Sequence, residues 1–310
     1  MKKILVILTI LLIFACIGFV SAEDISLDEV NSTSSDNILL NDSLVENTSH
    51  THSSVSDVVV KKNIVYAPGG NFNDLSSVFS SASSGDTIVF TGNYMNTGQS
   101  QIVLSKDINI EGNGHTVDCN HKSKFLAING NYVININNLT AINGYSYEQG
   151  SGYGGGCIGY RTVSGFMNIT NCIFLNNYGD GTWGGQGGAI EMQSQNSNAN
   201  FNLYVSNCYF YNNTVRGGAN SNGGSIYAAY GAHLYLYNST FINCTSIKGN
   251  GYSSYGGAVN IWAGRSSIIN NNTFINNTAQ DLGGAVRLWE MWDIVYLTNN
   301  ISLIIMWAIL

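Results

Sequence analysis

Charge is what this chain most lacks. Only 10% of its 310 residues are Asp, Glu, Lys or Arg, against roughly a quarter in an average soluble protein. Twelve Lys and Arg residues leave no basic stripe of the kind that nucleic-acid binding requires. Cysteine is scarce and unpaired in its spacing. Beyond residue 22 it stands at Cys119, Cys157, Cys172, Cys208 and Cys244, an odd set with no CxxC and no Cys/His metal spacing. That excludes a disulfide framework and a zinc module. Proline occurs once, at Pro68, and helical periodicity is almost absent. What is abundant is 44% apolar residues, enough for a sizeable core, together with 35 glycines and 42 asparagines. Asn, Ser, Thr, Tyr and backbone must therefore keep the surface wet.

Lys2 and Lys3 precede an apolar run over 4–20, and Val20-Ser21-Ala22 precedes Glu23. A positive start, a short apolar core and a small-residue site predict a secretory signal peptide over 1–22, cleaved after Ala22. The competing reading is an uncleaved anchor, for which 17 residues is borderline. Bulky Phe14, two residues before Cys16, fits a lipoprotein signal poorly. Export implies a secreted or cell-surface protein, touching membrane only through its export signal. Loss of the two leader lysines takes the net charge from −7 to −9. Residues 23–61, rich in Ser, Asn, Asp and Thr, read as a solvated linker. Beyond it, Ile64-Val65-Tyr66 alternates and Pro68-Gly69-Gly70 turns. Residues 73–83 place Leu75, Val78, Phe79 and Ala82 at helical spacing behind an Asn73 cap. Gly85-Asp86 stops this helix, and Thr87-Ile88-Val89-Phe90 reads as a strand.

The decisive feature is an internal repeat. Gly-Gly, a small residue and Ile or Val recur at Gly155-Gly156, Gly187-Gly188, Gly223-Gly224, Gly256-Gly257 and Gly283-Gly284, at intervals of 32, 36, 33 and 27 residues. Between them runs a second motif centred on Phe174, Phe210, Phe241 and Phe274, with Asn171, Asn207, Asn238 and Asn271 three residues earlier. A degenerate copy surrounds Asn138 and Ala141. Five residues before the Phe stand Ile136, Ile169, Val205, Leu236 and Ile269. Apolar positions two apart face one side of a strand. Asn suits the bends, because it tolerates left-handed backbone and bonds to nearby main chain. Each repeat is then one coil of a solenoid, its Phe stacked on the next Phe and its Asn laddered on the next Asn. The reading is all-β: a right-handed parallel β-helix over 62–300, its first coil covered by the short N-terminal helix.

The alternation of GGA[IV] with FxxN resembles the repeats of chlamydial polymorphic outer membrane proteins. The stretches Gly69-Gly70-Asn71-Phe72-Asn73-Asp74-Leu75, Ser84-Gly85-Asp86-Thr87-Ile88 and Ile110-Glu111-Gly112-Asn113-Gly114-His115-Thr116-Val117-Asp118 resemble adhesin-like surface proteins of methanogenic archaea. Those are pectin-lyase-like β-helices, and the resemblance covers roughly 62–300. It implies a cell-surface adhesion role and carries over no catalytic residue. Cys244 stands where the FxxN pattern asks for Asn after Phe241, which removes one rung of the expected ladder.

An enzymatic β-helix would need converging carboxylates, yet no Asp-Asp or Asp-x-Asp pair follows residue 62. Glu191 and Arg287 occupy one repeat position but fall about three coils, roughly 14 Å, apart, and read as isolated surface charges. Catalytic, cofactor and metal residues are all expected to be none. Residues 179–187, rich in Gly around Asp180, read as a turn-rich loop. His115 and His233 read as structural histidines, and Cys172 and Cys208 as stacked free thiols on consecutive coils. Eleven N-x-[ST] sequons suit a glycoprotein, although a chain this rich in Asn, Ser and Thr also makes them by accident. The candidate binding surface is aromatic: Tyr204, Tyr209, Tyr211, Tyr235 and Tyr237 at outward positions, with Trp183 and Trp262 in or beside the loops. Such faces suit an unknown glycan or surface protein; high strand propensity explains the tyrosines equally well. A monomer is expected. The functional reading is a non-catalytic adhesin-like protein, with a polysaccharide lyase or hydrolase and a structural envelope spacer as alternatives. Finally, the apolar tail 301–310 breaks the pattern. Val295, Leu297 and Asn299 keep the repeat columns and predict a Phe near 302. A shifted reading frame can be written for the tail that gives Phe-Ile-Asn-Asn-Asn-Val-Gly-Tyr-Phe, so a frameshifted or truncated product is one reading and a hydrophobic cap the other.

Overall fold

The computed structural model describes residues 62–148, 154–182, 184–194, 196, 198–249 and 253–303. The expected leader, the linker, Trp183 and most of the tail lie outside them. The described chain is a parallel β-solenoid. Its first sheet stacks nine strands in chain order from Ile64–Ala67 to Val295–Thr298, and its second nine from Gly70–Asn71 to Ile301–Leu303. The third holds seven, from Ile102–Leu104 to Val286–Trp289; the fourth five, from Tyr145–Glu148 to Thr278–Ala279; the fifth three, Gly184–Gln186, Asn220–Asn222 and Ser254–Tyr255. Every strand pairs in parallel with its counterpart one coil away.

Alternation sets which residues face the core. In Phe201–Ser206, Phe201, Leu203 and Val205 are buried, while Asn202, Tyr204 and Ser206 are half-buried. The apolar column Ile136, Ile169, Val205, Leu236, Ile269 is in register across five coils. Beside it Phe174, Phe210, Phe241 and Phe274 stack at centroid distances of 5.0, 4.5 and 5.1 Å, their planes within 12°.

Two asparagine columns turn the chain. Asn138, Asn171, Asn207, Asn238 and Asn271 adopt φ of 49 to 57° at the bend between the first and second sheets. Asn143, Asn176, Asn212, Asn243 and Asn276 do so after the second sheet, at φ of 51 to 56°. Their amides ladder along the axis, for example Asn271 Nδ2 to Asn238 Oδ1 at 2.9 Å and Asn212 Nδ2 to Asn176 Oδ1 at 2.7 Å. A third column is interior: Asn177 Nδ2 donates to Asn213 Oδ1 at 3.0 Å. Cys244 interrupts this column: its main-chain N–H donates to Asn277 Oδ1 at 2.9 Å, as that of Asn177 does to Asn213 Oδ1 at 3.0 Å, but its thiol supplies no amide rung.

The glycine pairs divide the work. The first of each pair is left-handed, as at Gly223 with φ of 70°. The second lies against the next coil: a Cβ on Gly188, Gly224 or Gly257 would sit 1.9 Å from the following coil's glycine carbonyl oxygen.

Helix α1 spans Phe72–Ser81 and buries Phe72, Leu75 and Phe79 against the first coils. Its cap is Asn71, not the expected Asn73. Asn71 Oδ1 accepts from Asn73 N at 2.8 Å and from Asp74 N at 3.3 Å, and Asp74 Oδ2 accepts from Asn71 N at 2.8 Å, so Asn71 and Asp74 form a reciprocal capping box. The Lys106 ammonium closes the other end, donating to the Phe79, Ser80 and Ala82 carbonyls. At the far end the solenoid continues past the expected boundary at 300, and Ser302 takes the place opposite Phe274 where the columns predict Phe.

Candidate functional site

The expected aromatic surface divides over three sheets. On the first, Tyr204 and Tyr235 stack at 4.3 Å with Phe166 tilted against Tyr204 at 5.4 Å, and Tyr237 follows on the same strand as Tyr235. Tyr209 and Tyr211 stand on the second sheet, beyond the asparagine bend. Trp262 ends a third-sheet strand, donating from Nε1 to Glu290 Oε2 at 2.9 Å. His233 is held between Asn200 Oδ1 and the Ser266 carbonyl, both at 2.9 Å, consistent with the structural role expected of it. Residues 179–187 are not simply a loop: Tyr178–Gly181 and Gly184–Gln186 are strands of the fourth and fifth sheets.

A groove of about 560 Å³ opens at the corner between the second and fourth sheets. Tyr145 and Tyr178 line it, their rings stacked at 5.9 Å and 8°. The amides of Asn143, Asn176 and Asn212 form its wall. The register Tyr145, Tyr178, Thr214, Thr245 ends the aromatic ladder at Thr214. Burial raises the phenol pKa of both tyrosines. Along the same sheet, Tyr147, Asp180 and Arg216 share the next outward column beside a hollow of about 200 Å³. Sequence reasoning missed this groove. Its signal was the column four residues after the repeat Phe, which holds Tyr178, Thr214, Thr245 and Thr278.

Glu191 and Arg287 share one column of the third sheet, with Tyr227 and Asn260 between them. Glu191 is not a surface charge, whereas Arg287, on the last strand of the sheet, is half-buried. At Glu191 and Tyr227 the third sheet is buried on both faces, because fifth-sheet side chains cover its outer side, as where Gln193 Nε2 donates to Gln186 Oε1 at 2.6 Å. Glu191 has no exposed surface. Its carboxylate accepts from Gln193 Nε2 and lies 3.9 Å from Arg161 Nε. Asn260 Nδ2 donates to Asn222 Oδ1 at 2.9 Å, and the Arg287 guanidinium lies 3.8 Å from the Tyr255 ring centroid. Lys124, also buried, donates to the Gly154 carbonyl at 3.0 Å. These contacts tie the long loops to the coil, while the Tyr227 hydroxyl, Asn260 Oδ1 and Arg287 Nε have no hydrogen-bond partner among the described residues.

The five described cysteines are free and buried. Contact with Cys208, then burial, holds the Cys172 thiol well above its ordinary range. Burial, then contact with Cys157, does the same for Cys119, and burial pushes Cys244 up to about 11.

The architecture is that of a β-solenoid, consistent with the pectin-lyase-like β-helices. Comparison with protein-family models gives no match, and comparison with curated proteins gives none either. Among the described residues, no helix is long and apolar enough to cross a membrane.

Proposed function

We propose that the protein is a secreted or cell-surface adhesin-like protein of the kind found in methanogenic archaea, non-catalytic, binding a glycan or protein partner through the outer faces of its coils. One observation carries the reading. Outward columns present tyrosines and amides in fixed register, whereas Glu191, the carboxylate nearest to cations in the third sheet, is enclosed. A β-helix is a scaffold, so the function must lie in such surfaces rather than in the fold. The fold also suits a polysaccharide lyase. The test applies the full chain to a glycan array and to immobilised cell-envelope extracts, and separately incubates it with acidic polysaccharides. Saturable retention without release of unsaturated or reducing ends is expected. Turnover of a polysaccharide would overturn the proposal in favour of an enzyme, and absence of all retention would leave a structural spacer.

A further inference from the structure

We propose that the groove at the corner of the second and fourth sheets is a subsite for an uncharged glycan, one sugar ring of which stacks on Tyr178. This rests on the surface-binding reading above and names the ligand class and the place.

At about 560 Å³ the groove falls within the roughly 300–1,000 Å³ of small-ligand sites, and it runs across successive coils instead of plunging into the core. The side chains along it change from coil to coil. Tyr145 stacks on Tyr178, but the next residue in the column is Thr214. A threonine is too short to cover an aromatic ring, so the Tyr178 face turned towards Thr214 is left without a stacking partner. A pyranose ring offers the flat C–H face that such a ring takes up.

Asn176 and Asn212 stand on successive coils, about 4.8 Å apart, linked by a 2.7 Å amide hydrogen bond that fixes their orientation. A sugar seated on the Tyr178 ring therefore meets the amide of Asn176 on that coil and of Asn212 on the next.

Apart from His121 at one end, the lining is amide, phenol and hydroxyl. Charges meet it at the rim and in both signs: Arg216 bonds the Tyr178 side chain and stands opposite Asp180, and Asp118 accepts from Asn143 Nδ2 at 3.0 Å. The chain as a whole carries −7. An acidic polysaccharide would find the nearby guanidinium already opposite a carboxylate, and a repulsive field around the groove. A neutral hexose chain loses nothing by that.

Titration calorimetry on the full chain tests the proposal, with cellohexaose, mannohexaose and hexagalacturonate as probes. At least one neutral hexamer should bind, with an affinity unchanged between low and high salt. Tyr178→Ala should weaken it about tenfold. Thr214→Tyr, which keeps a good strand former on an outward position, should also abolish binding by covering the Tyr178 face. It guards against mistaking an unfolded variant for a lost site. Tyr66→Ser, an exposed position on the first strand of the first sheet and outside the groove, should leave binding intact. If Tyr204→Ser or Tyr235→Ser, and not the variants at Tyr178 and Thr214, removes binding, the groove is overturned while surface binding stands. Preference for hexagalacturonate would overturn the uncharged ligand. If no hexamer binds but envelope extracts are retained, the inference fails and the broader proposal survives; if nothing is retained, both fail.

Discussion

Replacing Phe210 by alanine would remove the middle of the aromatic stack. Phe210 is fully buried between Phe174 at 5.0 Å and Phe241 at 4.5 Å, on a strand whose next residue, Tyr211, faces outward. Deleting a buried Phe costs about 3–5 kcal/mol through lost burial and the cavity left behind. Because Phe210 stacks on both sides, and each such contact is worth about 0.5–1.5 kcal/mol beyond burial, the upper half of that range applies. Four kcal/mol is nearly a thousandfold in the folding equilibrium, at about 1.4 kcal/mol per decade. In a solenoid each coil leans on its neighbours, so the loss should be sharpest there. Urea unfolding gives the free energy, and amide exchange gives the location. Protection should fall most at Ile173–Leu175, Tyr209–Tyr211 and Thr240–Ile242, the strands that carry the three stacked rings. Phe210→Leu should cost much less, and Tyr211→Ala less than about 1 kcal/mol. A Phe210→Ala loss below 1 kcal/mol, or one equal to that of Tyr211→Ala, would refute the inward stack as the source of stability.

Gly224→Ala should prevent stable folding, with a cost of at least about 3 kcal/mol, because its Cβ would meet the Gly257 carbonyl oxygen at 1.9 Å; circular dichroism melting checks it. Alkali should unfold the protein early. Burial raises Cys244 to about 11 from an ordinary 9.0, and Tyr160 to about 12 from 10.0. Groups raised in the folded state lend full stability below their unfolded pKa and lose it as pH climbs towards the folded one. Stability should therefore fall between about pH 9 and 12, by about 3 kcal/mol for Cys244 alone, and a Cys244→Ala variant should lose less over the same window in urea titrations at stepped pH.

The repeat was legible because its residues do one job in every coil. Asn171, Asn207, Asn238 and Asn271 share a left-handed turn, and the register of Val205 with Leu236 follows from period-two alternation. What escaped is what different coils do differently. The helix cap slipped by two residues because Phe72, next to Asn71, buries its ring as the first residue of the helix, so the apolar stripe starts earlier than Leu75 suggests. Glu191 looked like a surface charge because strand alternation assumes one wet face. The fifth sheet removes that face, and it is made of Gly-, Asn- and Ser-rich stretches that carry no strand signal of their own. The Tyr145–Tyr178 groove was hidden for a related reason. Its column is aromatic in two coils and Thr in the next three, so it does not look like a repeat.

Scarcity of charge follows from the same stacking and can be tested directly. Successive coils bring register partners to about 4.8 Å, where like charges directly opposite are destabilising. In the strand registers of the described residues no two like charges are partners on adjacent coils. Asp180 and Arg216 are partners, and they are opposite in sign. Asp180→Lys would set two cations face to face on an outward column, exchanging an attraction of about 0.2–1 kcal/mol for a repulsion of similar size. A cycle with Arg216→Gln isolates that exchange from the other consequences of the lysine. The coupling should amount to about 0.5–2 kcal/mol at low salt and should shrink towards zero at 1 M salt, where the Debye length is about 3 Å. A coupling that is absent at low salt, or that persists unscreened, would mean that axial charge repulsion does not limit which residues such coils accept. The low charge of the chain would then need a cause outside the fold.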